Sequence, residues 1–170
     1  MDRRDAPQAD VIPISSAPSA PHAETPAARP GRPTGHGRVG VVLVSHSAEL
    51  AAAAGALAVA LAHSEDPAPV ATTGGSLGDG PGTSAVLIAA AARRVDQGHG
   101  VAVLSDLGSA VTTVLAVLAE ADEHGLPFPV RFANAPFVEG AVAAVATATA
   151  GGDLSAVLDA AEEMYRQHKL

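Results

Sequence analysis

The chain has 170 residues, a formal net charge of −8, a 48% hydrophobic share with only 2% aromatics, 17 glycines, 13 prolines and no cysteine. Those figures suit one domain with room for a tail, and they exclude disulfides, thiolate zinc sites and iron–sulfur clusters. The acidic balance and the lack of any basic stripe argue against general nucleic-acid binding, which needs Lys and Arg to displace the counterions around phosphates.

Residues 1–37 hold seven of the thirteen prolines, spaced by Ala, Ser and Gly without apolar periodicity. Such a stretch buries too little surface to offset the entropy of ordering, so it is expected to be a disordered tail. It lacks the continuous apolar run of a secretory signal, and no later run reads as membrane-spanning because Gly and charges break the Ala-rich stretches. The default address is cytoplasmic. Four basic and four acidic residues cancel in the tail, so the −8 belongs to residues 38–170.

From Val39 onward short apolar runs alternate with helical ones, the pattern of a small doubly wound α/β domain whose mainly parallel sheet is flanked by helices. Val39–Val44 is a continuous, largely β-branched run, as in a strand buried on both faces. Leu50, Ala54, Leu57 and Leu61 then recur at helical spacing and are expected to line one side of a helix. Val70–Thr73 reads as a weaker strand. A glycine-rich loop from Gly74 to Gly82 follows, and an Ala-rich helix is expected from about Thr83 to Arg94. Val101–Leu104 is a third strand, with Val111, Val114, Leu115 and Leu118 along the next helix. Val130–Ala133 gives a fourth strand, followed by helices from about Pro136 to Ala150 and from Asp153 onward, separated by Gly151 and Gly152.

In open α/β sheets the functional crevice lies beyond the carboxyl ends of the strands. Ser45-His46-Ser47 follows the first strand, and Ser105-Asp106-Leu107-Gly108-Ser109 follows the third. If those strands are neighbours, His46 faces Asp106. A carboxylate accepting from Nδ1–H fixes the imidazole tautomer and leaves Nε2 as a nucleophile, which serves acyl and phosphoryl chemistry alike. Ser47, Thr83 or Ser84, and Ser109 each stand where a helix should begin, so three helix N-termini would converge and favour a dianion. Gly75, Gly82 and Gly108 would let backbone come close to it. A phosphoryl-sized anion beside His46 is therefore expected. A P-loop is absent and the single lysine is Lys169, so the domain would handle phosphate without an ATP site.

These residues match a known pattern. Over about residues 38–165 the chain resembles the mannose-type IIA (EIIA) domains of the bacterial phosphotransferase system (PTS), and specifically the DhaM branch, the phosphoryl donors of dihydroxyacetone kinase. Val42–Ser47 corresponds to the family's phosphohistidine motif, Gly82-Thr83-Ser84 to the end of its glycine-rich loop, Leu104–Ala110 to the DhaM motif, and Ala135–Ala141 to a fourth. Ser105 departs from the tyrosine common there. The resemblance implies that His46 is phosphorylated on Nε2 by the phosphocarrier HPr, charged by enzyme I from phosphoenolpyruvate. The phosphoryl group would pass to ADP on the DhaL subunit, and DhaK with DhaL would phosphorylate dihydroxyacetone (glycerone). It implies a homodimer, and neither a metal nor a directly bound cofactor.

Blander readings compete. Asp106 could be a helix N-cap, Ser47, Thr83 and Ser109 caps rather than phosphoryl contacts, and His63, His99 and His124 solvated bystanders. A regulatory phospho-sensor needs the same phosphohistidine. A chelatase-like α/β enzyme also places a histidine after its first strand, but needs further metal-binding groups. A serine hydrolase lacks its G-x-S-x-G elbow here.

Overall fold

The computed structural model describes residues 37–75 and 83–167; the tail through His36 and loop residues 76–82, with Gly82 among them, lie outside the described residues. Four parallel strands form one sheet in the order β2-β1-β3-β4: β1 (Gly40–Ser45), β2 (Val70–Gly74), β3 (Val101–Ser105) and β4 (Val130–Phe132). β1 and β3 are hydrogen-bonded neighbours, with Val44 opposite Ser105. Every residue of both strands is buried, which is why they read as unbroken apolar runs rather than alternating ones.

The helices are α1 (Ala48–Leu61), α2 (Ala85–Val95), α3 (Gly108–Ala119), the short α4 (Ala121–His124), α5 (Phe137–Thr149) and α6 (Leu154–Glu163). The fold is doubly wound. One core contains Val41, Leu43 and Leu104 under α1, α5 and α6; the other contains Val42, Val44 and Val103 under α2 and α3. The chain steps from β1 to β2 on one side and then crosses to β3 on the other, so the switch point falls between β1 and β3. The crevice expected at such a point opens beside the last residues of these two strands.

The expected strands and long helices are present within a residue or two, whereas α4 has no counterpart in the sequence reading. The face that α1 buries is also different. Ala51, Ala54, Gly55 and Ala58 face the core, while Leu50, Leu57 and Leu61 stay 44–45% exposed. The helix lies so close to the sheet that a Cβ at Gly55 would come within 2.7 Å of Thr72 Cγ2; small side chains permit that approach and leucines do not. On α3 the inward line is Ala110, Val114 and Val117. Val114 was expected there, but Leu115 is 49% exposed.

Candidate active site

At the carboxyl end of β1 the chain leaves the sheet through Ser45 and His46 and enters α1 at once. Ser47 is the N-cap of α1: its hydroxyl accepts from the Leu50 N–H at 3.1 Å, which satisfies one of the helix's free donors. On β3 the Asp106 N–H still bonds Val44 O at 3.2 Å, so the ladder between the two strands runs up to the carboxylate and fixes its height relative to His46.

Sequence order alone allowed Asp106 to be a cap, but α3 begins after Leu107 without any side-chain cap. Asp106 instead faces His46, whose Nδ1 lies 3.0 Å from Oδ1. The Leu107 N–H donates to the same oxygen at 2.7 Å. Oδ2 accepts the Ser45 hydroxyl at 2.7 Å and the His46 N–H at 3.0 Å. Four donors therefore meet the roughly four lone-pair positions of a carboxylate.

Burial is the largest single influence on the Asp106 carboxyl and pushes its pKa up. The bonds from the Ser45 hydroxyl, the His46 N–H and ring, and the Leu107 N–H together outweigh it and hold the group below its ordinary value. Asp106 is thus an anion that only accepts. Of the two imidazole tautomers it selects the one with the proton on Nδ1, which turns the lone pair of Nε2 outward. The Asp106 side chain is 9% exposed and that of His46 25%, so the carboxylate is shielded while the imidazole edge reaches solvent.

Among the described residues, the hydrogen-bond partner of Nε2 is Ser109 Oγ at 2.7 Å. With the proton on Nδ1, the serine hydroxyl donates to Nε2. Ser109 is in the first turn of α3 and does not cap it, contrary to the capping expectation. Its backbone oxygen accepts the Thr113 hydroxyl at 3.2 Å, and Thr113 in turn accepts from Thr83 at 3.0 Å. Thr83 thereby ties the approach to α2 to the first turns of α3, and the cap of α2 is Ser84, not Thr83.

The glycines divide by role. Gly75 has φ +75°, a left-handed conformation that favours glycine. Gly74, which the sequence reading passed over, is the close-approach position: a Cβ there would lie 2.7 Å from Ala48 N and from the Ser47 carbonyl carbon. Gly108 is expected to let backbone approach a bound anion; a Cβ there would meet no protein atom within 4 Å, so the space at the start of α3 is open.

The other histidines stay away from this cluster. His63 is exposed as expected. His124 and His99 are half-buried rather than solvated: His124 Nε2 stands 3.4 Å from Glu120, and His99 Nε2 is buried without a hydrogen-bond partner among the described residues. No group of three metal-ligating side chains occurs among the described residues, and the four donors at Asp106 leave it no lone pair for a cation.

The family model described as "PTS system fructose IIA component", EIIA-man, matches residues 40–158. The chain belongs to this family. As an EIIA-man chain it is a phosphotransfer component of the phosphotransferase system, and it matches from β1 into α6, with His46 and Asp106 inside the matched span. The chain is also similar to the crystal structure of a protein of unknown function, EF1359, with 25% identity and a TM-score of 0.60 over 74% of this chain and 94% of that one. Among curated proteins, none matches it. Among the described residues no helix is long and apolar enough to cross a membrane.

Proposed function

We propose that this EIIA-man chain is the phosphohistidine relay subunit of a dihydroxyacetone kinase, taking a phosphoryl group from phospho-HPr on His46 and passing it to ADP on a DhaL subunit. The observation that carries the first half is the pair of bonds on one imidazole, Nδ1 to Asp106 and Nε2 to Ser109. The second half rests on the Leu104–Ala110 motif and its likeness to the DhaM branch.

In the first step the Nε2 lone pair attacks phosphorus as the Ser109 hydroxyl swings off the nitrogen. The bond holding phosphorus to HPr breaks and its electron pair stays with HPr. Nδ1–H remains on the ring, and the Asp106 carboxylate balances the positive charge that develops there. The N-terminus of α3 supplies the free N–H groups and the positive dipole end for the phosphoryl oxygens, with Ser47, Gly75, Thr83, Gly108 and Ser109 around them. In the second step a terminal phosphate oxygen of ADP attacks phosphorus, the P–Nε2 bond breaks and its pair returns to the ring. DhaL with DhaK then spends the new ATP on dihydroxyacetone.

The resemblance further implies a homodimer. The outward leucines of α1, Leu50, Leu57 and Leu61, give two copies an apolar surface on a helix whose one charged residue is Glu49. Sedimentation equilibrium reads this directly: twice the chain mass is expected, and the single-chain mass contradicts it.

The deciding experiment for the kinase role adds DhaL, ADP, DhaK and dihydroxyacetone to the protein phosphorylated on His46. Loss of the phosphoryl group with formation of triose phosphate is the expected result. A phosphoryl group that stays on His46 under those conditions would favour the sensor reading.

A further inference from the structure

Ser45 belongs to none of the motif positions expected to contact the phosphoryl group, yet it occupies the centre of the site. It is fully buried, donates its hydroxyl to Asp106 Oδ2 at 2.7 Å and accepts the Ser47 N–H at 3.0 Å. The second bond determines the direction of the first. Because Ser47 already donates to Ser45 Oγ, the hydroxyl hydrogen is left to point at Asp106, and the carboxylate just past β3 is fastened to the cap residue of α1.

A carboxylate turns about a broad, two-fold torsion, and its two oxygens are interchangeable unless different donors hold them. In this site the Ser45 hydroxyl holds Oδ2, so that Oδ1 stays in line with the His46 ring. We propose that Ser45 is a positioning residue that locks the Asp106 carboxylate and so keeps the His46 proton on Nδ1 and the Nε2 lone pair facing outward.

In Ser45→Ala, Oδ2 keeps only the His46 N–H, the carboxylate rocks, and the Nδ1–H bond that selects the tautomer weakens. The ring then admits the Nε2–H form, in which the attacking nitrogen carries a proton and has no lone pair to offer. This inference rests on His46 being the phosphoryl acceptor, but its first readout does not. Nitrogen NMR of the His46 ring reports the tautomer without any phosphoryl donor.

For the wild type a Nδ1–H ring is expected. For Ser45→Ala a mixture with Nε2–H is expected, together with phosphoryl acceptance slowed about tenfold, the lower end of what removing an outer partner of a functional histidine costs. Ser45→Thr keeps the hydroxyl and restores both readouts. A folded Ser45→Ala protein with an unchanged tautomer overturns the proposal, and so does an equal shift in Ser45→Thr, which would assign the effect to packing. If thermal melting shows Ser45→Ala unfolded, Ser45→Cys, close in size but a weak donor, repeats the test with the same expected shift. A wild type that takes no phosphoryl group would end the relay reading while the tautomer still decides Ser45.

Discussion

Each end of the sheet holds a half-buried histidine, and the two are built differently. At the carboxyl end, His46 has both ring nitrogens engaged by side chains from a different segment, Asp106 after β3 and Ser109 in α3. At the amino end, His99 precedes β3 and packs beside Gly37, with Nε2 buried and unbonded among the described residues. An unbonded buried nitrogen costs roughly 1–3 kcal/mol and orients nothing. A nitrogen held by a saturated carboxylate has its proton assigned and its opposite lone pair aimed. Burial is therefore common to both histidines, and the partners delivered by the strand order β1-β3 set them apart.

The substitution that most sharply breaks the contrast is Asp106→Asn. The amide offers N–H to groups that are themselves donors, so His46 loses the acceptor that fixes its proton. Phosphoryl acceptance should fall by about 100-fold, within the range that a positioned acid–base partner contributes, with the fold retained by circular dichroism. A rate within twofold of wild type would show that Asp106 is structural.

A smaller effect concerns acid stability. The folded pKa of Asp106 lies below its ordinary value, so its stabilising contribution is complete above the unfolded pKa and disappears as pH falls through the folded one. Melting temperature followed from pH 5 down to pH 2 should drop more steeply for the wild type than for Asp106→Asn. Parallel curves would contradict the lowered pKa.

The smallest effect is expected at the other end. His99→Ala should leave phosphoryl acceptance unchanged and shift stability by about 1 kcal/mol or less, since lost packing and relief of an unbonded nitrogen oppose each other. A measurable loss of acceptance would mean that the amino end of the sheet communicates with the site.

Much of this contrast was legible in the sequence. The unbroken runs Val39–Val44 and Val101–Leu104 announce buried parallel strands, and a His and an Asp placed just past them can meet only if the strands are neighbours, which they are. The phase of α1 was not legible. Helical spacing marks a stripe, but in a helix built mostly of Ala and Leu both stripes are apolar, and the choice falls to how closely the backbone must approach the sheet at Gly55. Ser45 was hidden for a similar reason: a serine ending an apolar strand reads as the end of the strand, and only the register of β1 on β3 shows its hydroxyl meeting Asp106. Ser109 looked like a cap because a serine near a helix start usually is one, whereas the cap position of α3 is Leu107, two residues earlier, which frees the Ser109 side chain for His46.

Whether His46 carries the phosphoryl group can be read from intact mass. Wild type and His46→Ala are incubated with phosphoenolpyruvate, enzyme I and HPr and kept alkaline to preserve a P–N bond. One phosphoryl adduct is expected on the wild type and none on the variant, with both folded. An adduct on both proteins, or on neither, would contradict His46 as the acceptor.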